Sequence, residues 1–208
     1  MQSLVNTYID FDGTLVDENS SQSLISYLLI RARTPNQHVL ALILNSPCAW
    51  LMDKILGLAT RLTGQDAKLW LVMIFFRTEL VEAGEEIFTA VASALHLNPK
   101  LAHEYSRPFI IVSLGLQPIA ERFVALHPEL NCVGIYGSNL APEGRLFKPV
   151  LKKINFKLAY LSQVECLRYY TDYHHEAQVF KIALAGKHRI TTLPDTNRNT
   201  LYLLEKIS

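Results

Sequence analysis

Two aspartates stand two residues apart near the start of the chain, in Asp10-Phe11-Asp12-Gly13-Thr14-Leu15. They follow a short apolar run, Leu4-Val5-Asn6-Thr7-Tyr8-Ile9, whose β-branched and aromatic content predicts a strand. At i and i+2 on a strand end, two carboxylates can face the same side. Such a pair can serve as nucleophile and general acid/base, or as oxygen ligands for Mg2+. Gly13 allows a tight turn and a close approach of phosphate to backbone N–H groups. Two more polar residues follow apolar runs further along: Ser113 after Phe109-Ile110-Ile111-Val112, and Asp172 after the run ending at Thr171.

The elements around these residues alternate. Strands are expected at 109–112, 132–136, 167–171 and 190–193, and helices at 117–126, 157–167, 177–185 and 197–207. A small hairpin is expected around the turn chemistry of Ala141-Pro142-Glu143-Gly144. Alternation of this kind implies a parallel α/β sheet, and ligands bind such sheets outside the carboxyl ends of the strands. Three separate segments therefore point at one crevice. Between the first strand and residue 103 the signals are helical throughout. Thr34-Pro35-Asn36-Gln37 carries an N-cap, a proline at the first helical position and a capping-box glutamine. Ser46-Pro47, Thr63-Gly64-Gln65-Asp66 and Asn98-Pro99 read as further helix starts, and Gly84 as a break between two helices. The expected organisation is a Rossmann-like α/β core of residues 1–18 and 104–208, with an all-helical cap at 19–103 inserted after the first strand.

The aspartate motif resembles that of the haloacid dehalogenase superfamily, and the helical insertion resembles the cap of its phosphoserine-phosphatase-like branch. The resemblance spans essentially the whole chain in the family's motif order. It implies a Mg2+-dependent phosphomonoester phosphatase in which Asp10 attacks phosphorus to form an aspartyl-phosphate. Asp12 would protonate the leaving oxygen and then activate water. Ser113, with the N–H of Leu114, would donate to the phosphoryl oxygens, and Gly13 and Thr14 would line the phosphate site. A lysine near a helix start would neutralise phosphate and nucleophile: Lys157 fits best, with Lys148 next and Lys152 and Lys153 behind. Asn155 would cap the lysine's helix. Asp172 would complete the metal site with Asp10 and Asp12. Glu176 stands where the family has a second aspartate, and its longer side chain is expected to act on the site from behind the ligands. Tyr173 replaces a usually small residue. Asp195 is expected to be structural, and Glu18 is a candidate substrate contact beside the cap. The same core would also suit a phosphotransferase, or a regulatory binding module without catalysis.

Composition narrows the partners. The 208 residues are 50% hydrophobic and 19% charged, with mean hydropathy +0.15, so disorder is excluded. Twenty Lys and Arg face 19 Asp and Glu, which leaves no basic surplus for nucleic acid. Cys48, Cys132 and Cys166 form neither a disulfide framework nor a zinc site, and His174-His175 lack matching partners for zinc. No leader is visible in the N-terminal residues, and a cytoplasmic setting is expected. The uncharged stretch between Arg33 and Asp53 is interrupted by Asn45-Ser46-Pro47, so it reads as two short helices instead of a span. Peripheral contact with a membrane through these apolar helices remains an expectation. So does a substrate that is either a phosphorylated small molecule or a phosphoprotein side chain such as phosphotyrosine. An apolar cap would suit an aromatic or lipid-like carrier.

Overall fold

A computed structural model describes residues 6–47, 49–63, 66–143, 146–150, 154–163, 168–183, 188–193 and 200–207. The chain opens with strand β1 (Thr7–Ile9). Five helices follow: α1 (Ser20–Ile30), α2 (Pro35–Asn45), α3 (Ala49–Thr63), α4 (Ala67–Phe75) and α5 (Arg77–Ala92). The remaining order is β2 (Phe109–Leu116), α6 (Gln117–Leu126), β3 (Cys132–Glu143), β4 (Leu146–Val150), α7 (Ile154–Gln163), β5 (Arg168–Thr171), α8 (His174–Ala183), β6 (His188–Leu193) and β7 (Leu201–Lys206). The seven strands form one sheet in the order β4-β3-β2-β1-β5-β7-β6.

The centre of the sheet is parallel, as alternating strands and helices require. Ile9 pairs with Ile111 on one side and with Tyr170 on the other. Alternate residues of these strands go to opposite faces. Ile9, Ile111 and Tyr170 enter one buried cluster with Phe11, Phe123 and the inserted helices. Tyr8, Val112 and Tyr169 enter a second with Leu161, Ala177 and Phe180 under α7 and α8. Covering both faces explains why the central strands lack a polar side.

Both sheet edges depart from the expected parallel pattern. β4 folds back on β3 as a hairpin, with Glu143 opposite Leu146, where the turn chemistry predicted one. The last element is not a helix. Residues 201–206 form β7, which runs antiparallel between β5 and β6. Leu201-Tyr202-Leu203-Leu204 is too short an apolar run for its period to separate helix from strand, and the open ladder beside β5 decides. Asp195 lies outside the described residues, as do Cys48 and Cys166.

Local signals explain most of the inserted helices. Thr34 and Gln37 form the predicted capping box on α2, and Asp66 caps α4 by accepting from the Leu69 N–H at 2.9 Å. Gln37 also reaches Glu79 at 2.7 Å and the Phe75 carbonyl at 3.1 Å, tying α2 to the break between α4 and α5. At the expected Gly84 break the backbone leaves helical geometry at Ala83, so α5 is two helical segments meeting at a kink, and a further break falls at Phe76. Ser46 ends α2. Asn98-Pro99 opens only a single 3-10 turn at Pro99–Leu101.

The two connections between these helices and the sheet are zipped together. Val16 bridges Leu97, the Asp17 N–H donates to the His96 carbonyl at 3.1 Å, and the Asn98 N–H donates to Leu15 at 2.9 Å. Glu104 is buried where the chain returns to the sheet. It accepts from Tyr170 Oη at 2.9 Å and from Arg168 at 3.1 Å.

Candidate active site

Asp10 is the first residue after β1, held in the sheet line by its N–H, which donates to the Tyr170 carbonyl at 2.9 Å. Its carboxylate is buried. Oδ1 accepts from the Phe11 N–H at 2.8 Å, and Oδ2 accepts from Lys157 Nζ at 2.6 Å. Lys157 sits on the fourth residue of α7 and is only 2% exposed. Its ammonium also pairs with Glu176 Oε1 at 2.9 Å and donates to Tyr169 Oη at 3.3 Å. Lys148 lies on β4 opposite Ala141. Lys152 and Lys153 fall outside the described residues, and nothing is described of the Asn155 side chain.

Asp12 leaves the strand and turns toward the inserted helices. Its Oδ1 accepts from the Ser20 N–H at 2.8 Å, at the first turn of α1, where the helix presents unpaired N–H groups and the positive end of its dipole. Gly13 follows with φ +69, and a Cβ there would stand 2.2 Å from Asp172 Oδ2. No other residue type allows Asp172 so close. Thr14 supports the same neighbour from below. Its Oγ1 accepts from the Asp172 N–H at 2.9 Å, so it positions the aspartate and does not line the crevice.

Ser113 lies within β2 and not past its end. The β2–β3 register jumps between Val112 and Leu116, so residues 113–115 bulge out of the ladder beside Asp12. Ser113 Oγ accepts from the Gly115 N–H at 2.9 Å. A Cβ on Gly115 would meet Asp12 Oδ2 at 2.8 Å and Ser113 Oγ at 3.2 Å. The crevice so formed is lined by Asp10, Asp12, Asn19, Ser113, Leu114, Gly115, Lys157, Tyr173 and Glu176.

Two expected roles move. Glu176 is buried and faces the lysine: Oε1 pairs with Lys157, and Oε2 accepts from Thr171 Oγ1 at 2.8 Å. Glu18 is not at the crevice. Its carboxylate accepts from the His96 N–H at 2.9 Å and meets His96 Nδ1 at 2.6 Å, so it fastens the two connections of the inserted helices. Three residues that matter to the geometry escaped the sequence reading. They are Gly115, two residues past the recognised Ser113, Ser20 at the start of α1, and Tyr169 within β5.

The electrostatics follow from burial. Desolvation pushes the Asp10 carboxyl up to about 7, against the pull of Lys157. Burial also raises Asp12, although the hydroxyl and N–H of Ser20 hold it down, and it raises Asp172. Burial alone would lower Lys157, but Asp10 and Glu176 outweigh it and keep the ammonium above the ordinary lysine range. Tyr169 is driven well upward by burial and by its two acidic neighbours. The site therefore holds more buried carboxylate than its single lysine offsets.

That surplus suits a hard divalent cation. Asp10, Asp12 and Asp172 are oxygen donors, and Mg2+ takes one or two carboxylates while keeping waters and phosphate oxygens. Among the described residues no group of three or more His, Cys, Asp or Glu side chains is placed to hold a metal ion.

No protein-family model matches the chain, and no curated protein matches it in sequence. Among solved structures, the chain is similar in fold to a HAD-family hydrolase of Salmonella enterica serovar Typhi. The TM-score is 0.45 at 14% identity, with 77% of this chain and 51% of that one covered. The chain thus spans about half the length of that neighbour.

Proposed function

We propose that the chain is a Mg2+-dependent phosphomonoester hydrolase that works through an aspartyl-phosphate on Asp10. The observation that carries the reading is the Asp10–Lys157–Glu176 chain of contacts, opening on a crevice that Asp12 and Ser113 share. Lys157 and the Phe11 N–H fix both oxygens of Asp10, which orients the carboxylate for attack. In the first step an Asp10 oxygen forms a bond to phosphorus and the bond to the leaving oxygen breaks. Asp12, raised by burial, gives its proton to that oxygen. In the second step Asp12 takes a proton from water, the water oxygen bonds to phosphorus, and the acyl-phosphate bond breaks. Inorganic phosphate leaves and Asp10 is restored. Ser113, Lys157 and the backbone at Leu114 would hold the phosphoryl oxygens. Bound Mg2+, held by Asp10, Asp12 and Asp172, would neutralise charge on the transferring group.

The inserted helices, residues 19–103, serve in this reading as the cap over the crevice. Leu114 and the exposed Tyr173 at the crevice favour a carrier with an apolar or aromatic part, in a small molecule or on a phosphotyrosine side chain.

The test is hydrolysis of a chromogenic aryl phosphate with Mg2+, with EDTA, and by Asp10→Asn. Turnover is expected only with Mg2+ and an intact Asp10. Metal-independent turnover, or full activity in Asp10→Asn, refutes the mechanism. Failure on a broad panel of phosphomonoesters and phosphopeptides would favour a binding module, and transfer to an added alcohol in place of water would mark a phosphotransferase.

A further inference from the structure

We infer that the outward faces of α2 and α3 dock on an anionic lipid surface. On α2, Leu40 and Leu44 go into the core, while Val39, Leu42 and Ile43 stand outward at i, i+3 and i+4. On α3, Met52 and Leu56 pack inward, while Leu51, Ile55 and Leu58 form an outward stripe at i, i+4 and i+7. Leu42 is 71% exposed and Leu58 59%. One apolar side of each helix is explained by the protein's own core. The other has no counterpart among the described residues, and the two helices are in contact where they meet.

Length and shape favour lying on a bilayer over crossing one. No helix among the described residues is long and apolar enough to span, and α2 and α3 are bent by 98° where they meet. Eleven residues of α2 reach about 16 Å, roughly half a hydrocarbon core.

Charge selects the occupant. No charged residue lies between Arg33 and Asp53, whereas residues 31–68 carry five Lys and Arg against two Asp. Asp53 and Lys68 offset each other at 2.9 Å and Asp66 caps α4, which leaves Arg31, Arg33, Lys54 and Arg61 against one acid. Lys54 lies over the exposed ring of Trp50 at 4.8 Å, an amphipathic pair at the border of the stripe. Arg31 stacks on Tyr27 at 3.7 Å where α1 leads toward α2. An apolar face bordered by cations matches anionic headgroups over acyl chains. A second copy of the chain would set the same cations against one another.

Sedimentation of the full chain with vesicles tests this without reference to any turnover. Wild type is expected to sediment with vesicles of equal parts phosphatidylcholine and phosphatidylglycerol, and less so with phosphatidylcholine alone or in high salt. Leu42→Glu/Ile55→Glu is expected to lose at least tenfold in partitioning, about 1.4 kcal/mol, with an unchanged melting curve. Arg33→Gln/Lys54→Gln, which leaves the apolar stripe intact, is expected to lose binding to the anionic vesicles only, and it keeps the test decisive if the glutamate variant fails to fold. Absence of vesicle binding by folded wild type overturns the inference. So does equal binding by the glutamate variant, or a wild-type dimer that this variant disperses while vesicles bind neither protein.

Discussion

Replacing Lys157 by methionine tests the electrostatic core of the site. The ammonium is buried between Asp10 at 2.6 Å and Glu176 at 2.9 Å. Methionine keeps the stem and removes the charge, leaving two carboxylates facing each other away from water. Taking one partner from a buried ion pair costs about 3–5 kcal/mol. The cost depends on pH with a definite sign. The Asp10 carboxyl would be raised further in the variant, and a group raised on folding favours the folded state while protonated and opposes it as pH rises through its folded value. Asp10 already stands at about 7 with the lysine present. The loss is therefore larger near pH 8 than near pH 5. Glu176→Gln on the same background removes the repulsion and is expected to restore about 1–3 kcal/mol as a coupling energy. Urea denaturation of wild type, both single variants and the double variant at the two pH values reads all of this. Equal stability of Lys157→Met and wild type near pH 8 would refute the reasoning, as would a double variant no better than the single one.

Gly13→Ala forces a positive φ on alanine and a Cβ against Asp172, so a loss of about 1–2 kcal/mol in stability is expected, with aryl-phosphate turnover down about a hundredfold; wild-type turnover in this variant would count against Asp172 as a site residue. Gly115→Ala should displace Asp12 with little change in melting temperature, lowering kcat more than it raises KM. His96→Gln addresses the clasp between the two connections. His96 is raised and Glu18 lowered by their hydrogen bonds, so the pair stabilises between the lowered Glu18 value and the raised His96 value, and fades as pH rises through the latter. The melting difference between this variant and wild type should shrink above that point, and a difference that grows with pH would contradict the assignment.

Much of the fold was legible because its signals are local. Alternating β-branched runs and amphipathic stretches marked the parallel centre, and the Thr34 capping box and the cap signal near Asp66 marked helix starts. Asp10, Asp12, Ser113, Lys157 and Asp172 were singled out by chain position, and the fold brings them to neighbouring strands and the start of one helix. Residues 201–206 were misread because a short apolar run has no period of its own, and strand pairing across the chain settles it. The Glu18 contact was not legible for a similar reason: its partner His96 is 78 residues away, and no spacing rule connects them.

The sequence by itself determined which groups can do chemistry here and that they follow strands, since residue type and local periodicity are properties of adjacent residues. Tertiary structure alone decided which lysine meets Asp10, that Glu176 holds that lysine, and that Gly13 and Gly115 are gaps for Asp172 and Asp12. Those are contacts between segments as much as 158 residues apart, as between Thr14 and Asp172, fixed only when packed strands and helices leave one place for each side chain.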